Sequence, residues 1–392
     1  MLFQNHQLDI FSLEKLVGGL YERDTTMNPG YLVANVSEIP SPAMLIYREK
    51  LRNNIKKMIE MAGNIDLLRP HIKTHKMKAV VEMQRNLGIR KFKCATLFEA
   101  QILGEMGVED VFIAYQMVGP NIPRLVDIMK RFPNTTYRTM VDNTKTVEEL
   151  STASSAAGIK INLLLDLDLG LHRTGISPGP EAVRIYSLID RLRGLTADGL
   201  HCYDGNNGQL NINERENRCQ KVLNGLELFE QELFSLNLPV SRKIMGGSIS
   251  FPYYTRTKNI ETSPGTSVFW DWGYSQKFPD LPFKAAALLL SRIISLPTTT
   301  RATIDLGHKA IAADPAGPRG ILWNLPNSIP TLQNEEHWVF TCPNTNNLTI
   351  GQPIYVFPTH VCPSTALHRH VYVIDGDGYC RTQWNVDARD RV

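Results

Sequence analysis

The 392-residue chain is short of the features that would direct it to a membrane, a secretory route or a nucleic acid. No run of about 18 apolar residues occurs, which argues against a membrane-spanning helix. Residues 1–16 show no basic segment followed by an apolar one, so a secretory leader is not expected. Lysines and arginines number 42 against 39 aspartates and glutamates; a net charge of +3 is too small to predict nucleic acid or an anionic membrane as a partner. The six cysteines (Cys94, Cys202, Cys219, Cys342, Cys362, Cys380) are scattered and form no Cys-x-x-Cys pair. In a long chain without a leader they read as mostly reduced thiols of a cytoplasmic protein, with Cys94 in a core strand. Neither a solenoid repeat nor a low-complexity segment is visible. With 43% hydrophobic and 21% charged residues, the chain is long enough for one large core or two domains.

From Leu67 onward the pattern is rhythmic. Strand-like runs at 67–73, 91–96, 110–115, 136–141, 160–167, 196–203, 241–247 and 262–269 alternate with crossover-length segments. The helical candidates among these are 98–106, 122–131, 146–157, 180–193 and 213–234, after an earlier helix at 49–62. Eight such strands predict an α/β fold, a closed (β/α)8 barrel over residues 41–280, with a doubly wound sheet as the alternative. Residues 1–40 read as an N-terminal extension. Beyond about residue 283 strands such as 285–295, 302–305, 337–341, 354–358 and 370–374 have polar, proline-rich connections. This predicts a smaller, mainly β domain over 281–392, which the strand at 43–47 could join.

The chemistry gathers where a barrel would place it, at the strand ends. Arg69-Pro70-His71-Ile72-Lys73-Thr74-His75-Lys76 crowds cationic and titratable groups at the end of the first run. Strand alternation would point His71, Lys73 and His75 the same way. A lysine among cations and partly desolvated loses basicity, and a neutral amine attacks carbonyls, as a Schiff-base lysine must. A solvated basic turn is the plain alternative. His-x-Lys-x-His also departs from the His-x-His with which metal-dependent barrel hydrolases usually begin. After the fifth run Arg173 stands in a glycine-flanked loop, with Asp166 and Asp168 able to orient it; after the sixth come His201, Tyr203, Asn206 and Asn207. Gly246-Gly247-Ser248 and Ser263-Pro264-Gly265-Thr266 follow the seventh run and open the eighth, where small residues let backbone N–H groups approach a phosphate. Far downstream, His360-Val361-Cys362 at the end of a strand would put imidazole and thiolate on one face, a donor pair for zinc or another borderline divalent ion.

Taken together, these motifs resemble the D-threonine aldolase-like family of pyridoxal phosphate enzymes, which includes eukaryotic D-serine dehydratase and has the alanine racemase-like fold. The similarity runs from about Ser41 to Ile374, through the 69–76 octapeptide, Leu169–Gly175, Gly199–Gly205, Met245–Ser248, Ser263–Thr266, Asp305–Lys309 and His360–Cys362. The resemblance implies pyridoxal 5'-phosphate on Lys73, with Tyr203 beside it, Gly247, Ser248, Gly265 and Thr266 around its phosphate, and Arg173 at its ring nitrogen. It implies His360 and Cys362 as ligands of a divalent metal (Zn, Mn or Mg). It also implies a homodimer acting on a small amino acid. The expected reaction is cleavage of a D-configured β-hydroxy-α-amino acid to glycine and an aldehyde. The alternatives are dehydration of D-serine or 3-hydroxyaspartate type, a racemase, or a non-catalytic cofactor carrier. Lys73 is the expected α-proton acid or base, and His71, His75 and His201 are candidate partners for the β-hydroxyl. Many relatives carry histidine where this chain has Asn206 and Asn207, and asparagine cannot take a proton at neutral pH.

Overall fold

Short buried strands alternate with amphipathic helices in the computed structural model, which describes residues 29–391. Most of the expected N-terminal extension therefore lies outside the described residues. Strand β1 (Ala43–Tyr47) leads into α1 (Arg48–Ala62), and α2 (Lys78–Asn86) precedes β2 (Lys91–Cys94). There follow α3 (Leu97–Glu105), β3 (Asp110–Gln116), α4 (Asn121–Arg131), β4 (Thr136–Val141), α5 (Thr144–Ala157) and β5 (Ile161–Asp166). Then come α6 (Pro180–Arg191), β6 (Leu195–Cys202), α7 (Ile212–Ser235), β7 (Lys243–Met245), α8 (Phe251–Tyr254) and β8 (Ile260–Thr262). The expected helices are met to within two residues. Their ends are chemically fixed: Thr96 Oγ1 accepts from Glu99 N at the start of α3, and Gly158, at φ +67°, ends α5 in the left-handed conformation.

Strands β2 to β8 pair in sequence order, all parallel. The ring is closed by the segment before β2. Leu68 bridges Thr262 and His71 bridges Lys93, while Arg69 N donates to Thr262 O and Lys93 N to Pro70 O, each at 2.9 Å. The predicted first strand at 67–73 is thus reduced to isolated bridges. Pro70 has no N–H to give a ladder. His71 Nδ1 then accepts from Lys73 N at 3.3 Å and starts a 3-10 turn over Ile72–Thr74. The strand alternation expected for His71, Lys73 and His75 does not hold.

The barrel interior is layered. At the base, Arg69, with no exposed surface, donates from Nε to Glu261 at 2.7 Å and from Nη1 to Asp110 at 2.6 Å. Arg138, Asp198, Arg242 and Lys91 extend this ionic floor. Phe112, Met140, Leu164 and Ile244 form an apolar layer above it. Lys93, Asp166 and His201 stand at the top, towards the strand C-termini.

The second sheet is built from β9 (Ala287–Thr298), β10 (Arg301–Ile304), β11 (Gly320–Leu322), β12 (Ile329–Gln333), β13 (Trp338–Thr341), β14 (Pro353–Pro358), β15 (His370–Ile374) and β16 (Cys380–Asn385). Strand β1 joins it, antiparallel to β9 and parallel to β15. All five of its residues are buried because its faces serve different cores: Met44 and Ile46 pack towards the barrel, and Ala43, Leu45 and Tyr47 against Leu288, Leu290 and Tyr355. No helix among the described residues is long and apolar enough to cross a membrane.

Candidate active site

Lys73 stands on its short turn at the mouth of the barrel, its Nζ 6.0 Å from the centre of the Tyr203 ring. It is reachable by solvent from the open side, yet protein surrounds it on the others. Burial lowers its basicity; the nearby Cys362 opposes this and Arg173 adds to it. Arg173 places its guanidinium 5.0 Å from the centre of the same Tyr203 ring, from a solvent-exposed loop. The expectation that Asp166 and Asp168 orient Arg173 is overturned. Asp166 accepts from His201, and Asp168 Oδ1 gathers the Gly170, Leu171 and His172 N–H groups at 3.0–3.1 Å.

The two glycine segments come together beside Tyr203. Ser248 Oγ accepts from Gly265 N at 3.1 Å and from Ser267 N at 3.3 Å, tying the loop after β7 to the loop after β8. A Cβ on Gly247 would lie 3.2 Å from the Tyr203 ring, and one on Gly265 3.2 Å from His71 Cβ. The Ser263 and Ser267 hydroxyls are buried without a hydrogen-bond partner. A cavity of about 190 Å³ opens here, bounded by Tyr203, Gly247, Ser248, Ser250 and Tyr274. Small residues around a confined space, with the buried, unspent hydroxyls of Ser263 and Ser267 in the adjoining loop, suit a phosphate. The residues present therefore fit the phosphate end of a pyridoxal cofactor. Larger concavities lie elsewhere, one of about 510 Å³ beside Val36, Pro40 and Arg292, away from Lys73 and the glycine loops.

His360 and Cys362 reach this site from the β-domain. The expected common strand face is replaced by a strand-to-helix turn: His360 is extended and Cys362 lies in the first turn of a helix over Val361–Leu367. Asp271 Oδ2 accepts from Val361 N at 3.1 Å and so fastens this turn to the barrel. Cys362 Sγ lies 3.3 Å from Thr74 Oγ1 and 3.5 Å from Thr266 Oγ1, next to both Lys73 and the glycine loop. His360 Nδ1 is 2.5 Å from Asp314 Oδ2. Burial would lower this imidazole, but Cys362 and Asp314 hold it up at about 9. Among the described residues no three His, Cys, Asp or Glu side chains converge as a ready metal cage. The His360 imidazole still interacts with the Cys362 side chain, and Asp314 orients the ring through Nδ1, an arrangement that fits a borderline divalent ion completed by non-protein ligands.

The histidines divide. His71 is buried against the Lys73 turn and held neutral by burial, with Lys73 and Lys93 adding to it. His201 is buried below, between Lys93 and Asp166. His75 turns into the core instead, packing on Phe269 and accepting from Met77 N at 3.1 Å; burial takes it down to about 3. The two asparagines are structural struts. Asn207, 3% exposed, donates to Asp204 Oδ2 at 3.2 Å and to Cys219 Sγ at 2.8 Å, and Asn206 reaches Leu169 O. Sequence reasoning missed Lys93 and Asp314; Lys93 shares its strand with Lys91, and their alternation with Phe92 and Cys94 reads as a solvent-facing lysine face, so no signal set it apart.

Residues 46–245 match the profile of the alanine racemase N-terminal domain, and residues 286–374 that of a serine dehydratase domain. The chain is 26% identical over 361 residues to a D-threonine aldolase of Arthrobacter sp., covering 90% of this chain and 94% of that protein. It is 21% identical to a D-threo-3-hydroxyaspartate dehydratase of Delftia sp. strain HT23, covering 88% and 96%. The crystal structure of the D-threonine aldolase from Filomicrobium marinum superposes with a TM-score of 0.85 at 25% identity, over 91% of this chain and 97% of that one.

Proposed function

Because the chain belongs to the family of the alanine racemase N-terminal domain, we propose that it is a pyridoxal phosphate-dependent lyase of D-configured β-hydroxy-α-amino acids. Its favoured reaction is retro-aldol cleavage to glycine and an aldehyde, assisted by a divalent metal. The observation that carries this reading is the placing of His360 and Cys362 at the rim of the Lys73 site, with Cys362 3.3 Å from Thr74. A racemase would have no use for that donor pair.

In this reading Lys73 is the amine that holds the cofactor. Its lowered basicity suits it to take and return a proton near Cα. Ser248 fixes the two glycine loops that would receive the phosphate, and the Tyr203 ring lies near both Lys73 and Arg173. When bound, the cofactor supplies an electron-accepting ring to the substrate nitrogen. His360 and Cys362 would hold the metal, whose chemistry is to acidify a substrate hydroxyl as it does water. His71, kept neutral, offers a hydrogen bond and no charge.

Dehydration to a keto acid and ammonia is the second reading. The serine dehydratase profile over residues 286–374 favours it, and it would use the same residues. Incubating cofactor- and metal-loaded protein with D-threonine and with D-serine separates the two. Glycine and acetaldehyde, lost on Lys73→Ala and on chelation, support the aldolase; keto acid and ammonia support the dehydratase. Neither product, with cofactor bound, would overturn both.

A further inference from the structure

Below the turn that carries Lys73 lies a second lysine with no part in the reaction described above. Lys93 projects from β2 into the top of the barrel, with Nζ 2.8 Å from His201 Nε2. His201 Nδ1 lies in turn 2.6 Å from Asp166 Oδ1. The three residues are 3%, 4% and 3% exposed, and Asp166 Oδ2 has no partner at all. Lys93 Nζ is 5.8 Å from the centre of the Tyr203 ring, and Lys73 Nζ is 6.0 Å from the same centre. Two amines therefore approach one ring, the exposed Lys73 from its turn and Lys93 from within the barrel. A buried lysine whose contact is an imidazole and not a carboxylate is costly to fold around. A methionine of similar length would avoid that cost, so the arrangement points to a use.

We propose that Lys93, held by the His201–Asp166 pair, is a positioning residue that sets the protonation of Lys73 and of the cofactor Lys73 carries. The inference rests on the reading of Lys73 as the cofactor lysine. The groups facing Lys93 are Arg69, His71 and Lys73 from the bridging segment, Asp166 and Arg173 from β5 and its loop, and His201 with Cys202 from β6. Arg69 is already matched by Glu261 and Asp110. Burial keeps Cys202 a neutral thiol, and burial with Lys93 takes His201 down to about 4. Lys93 itself is brought down to about 7 by burial and Lys73, with Asp166 opposing. It is the member of the group placed to change charge near neutral pH. When charged, it repels a proton on the nitrogen of Lys73; when neutral, it releases that constraint.

The test begins by reducing the loaded protein with borohydride and mapping the modified peptide. Cofactor found on a residue other than Lys73 would sink the underlying reading. With cofactor on Lys73, its visible absorbance is titrated against pH in the wild type and in Lys93→Met, Lys93→Gln and Lys93→Arg. The neutral variants should raise the midpoint by about one pH unit, as removal of a nearby like charge does. Arginine, which stays charged, should hold the midpoint at or below the wild-type value. Uptake of cofactor by Lys93→Arg but by neither neutral variant would also support the assignment. Neutral variants that titrate like the wild type would overturn it, as would an equal shift, or loss of cofactor, in all three.

Discussion

Glu261 is the anion on which the base of the barrel closes, and its replacement by glutamine should loosen the segment that carries Lys73. One carboxylate oxygen accepts from Arg69 Nε at 2.7 Å; the other accepts from Lys91 Nζ at 2.8 Å and Arg242 Nη1 at 2.5 Å. The side chain is 5% exposed and that of Arg69 not at all, so solvent cannot replace the lost charge. Burial would raise the Glu261 carboxyl, but Arg69, Lys91 and Arg242 more than offset it and hold it down at about 2, from 4.5. By linkage that depression is worth about 3 kcal/mol at neutral pH. Breaking a buried pair by removing one partner costs a similar ~3–5 kcal/mol. Because the folded value lies below the ordinary one, the stabilisation is complete above about 4.5 and is lost as pH falls towards 2. Urea unfolding followed by tryptophan fluorescence should show Glu261→Gln less stable by about 3 kcal/mol at pH 7, with a flatter dependence on pH below 4.5. Cofactor affinity should fall as well, because Arg69 lies four positions before Lys73. A loss under about 1 kcal/mol with an unchanged acid limb would refute the reasoning and mean that Asp110 alone satisfies Arg69.

Three further outcomes are expected. Gly199→Ala should abolish soluble folded protein, because its backbone is at φ +131° and a Cβ would lie 2.0 Å from Arg242 O; expression and thermal unfolding check it. Asp314→Ala should weaken metal binding by about 10–100-fold, since Asp314 orients the His360 ring from outside the donor set. Calorimetric titration with zinc measures this, and unchanged affinity would remove Asp314 from the site. Asn207→His should lower stability by about 1–3 kcal/mol, since a larger ring must fit where the amide now bridges Asp204 and Cys219. A gain in lyase activity from that change would show instead that the loop accepts a base.

Which parts of this site can be read from sequence follows from how far apart their causes lie. The helices were accessible because apolar spacing and caps are local: Thr96 and Glu99 start α3 within four residues. Parallel order followed from repetition. The geometry at Lys73 was misread because it is not set by alternation. Pro70 interrupts the ladder, and a side chain, His71, captures the next amide. Strands β11, β12 and β16 escaped notice because they are short or largely exposed, so no apolar period marks them. Lys93 was overlooked for a different reason. In Lys91-Phe92-Lys93-Cys94 a period of two suggests a wet lysine face and a dry Phe/Cys face, but a barrel strand is covered on both sides. The lysines point inward, Lys91 to the ionic floor and Lys93 to His201. Asp314 and His360 are 46 residues apart, and no local pattern could pair them. The same distance effect governs the metal motif itself. His-x-Cys gains chemical meaning only because Asp271 fastens Val361 to the barrel and sets Cys362 against Thr74. Substituting Asp271 should therefore disturb metal binding and the Lys73 site together, although it would touch neither His360 nor Cys362 by exchange.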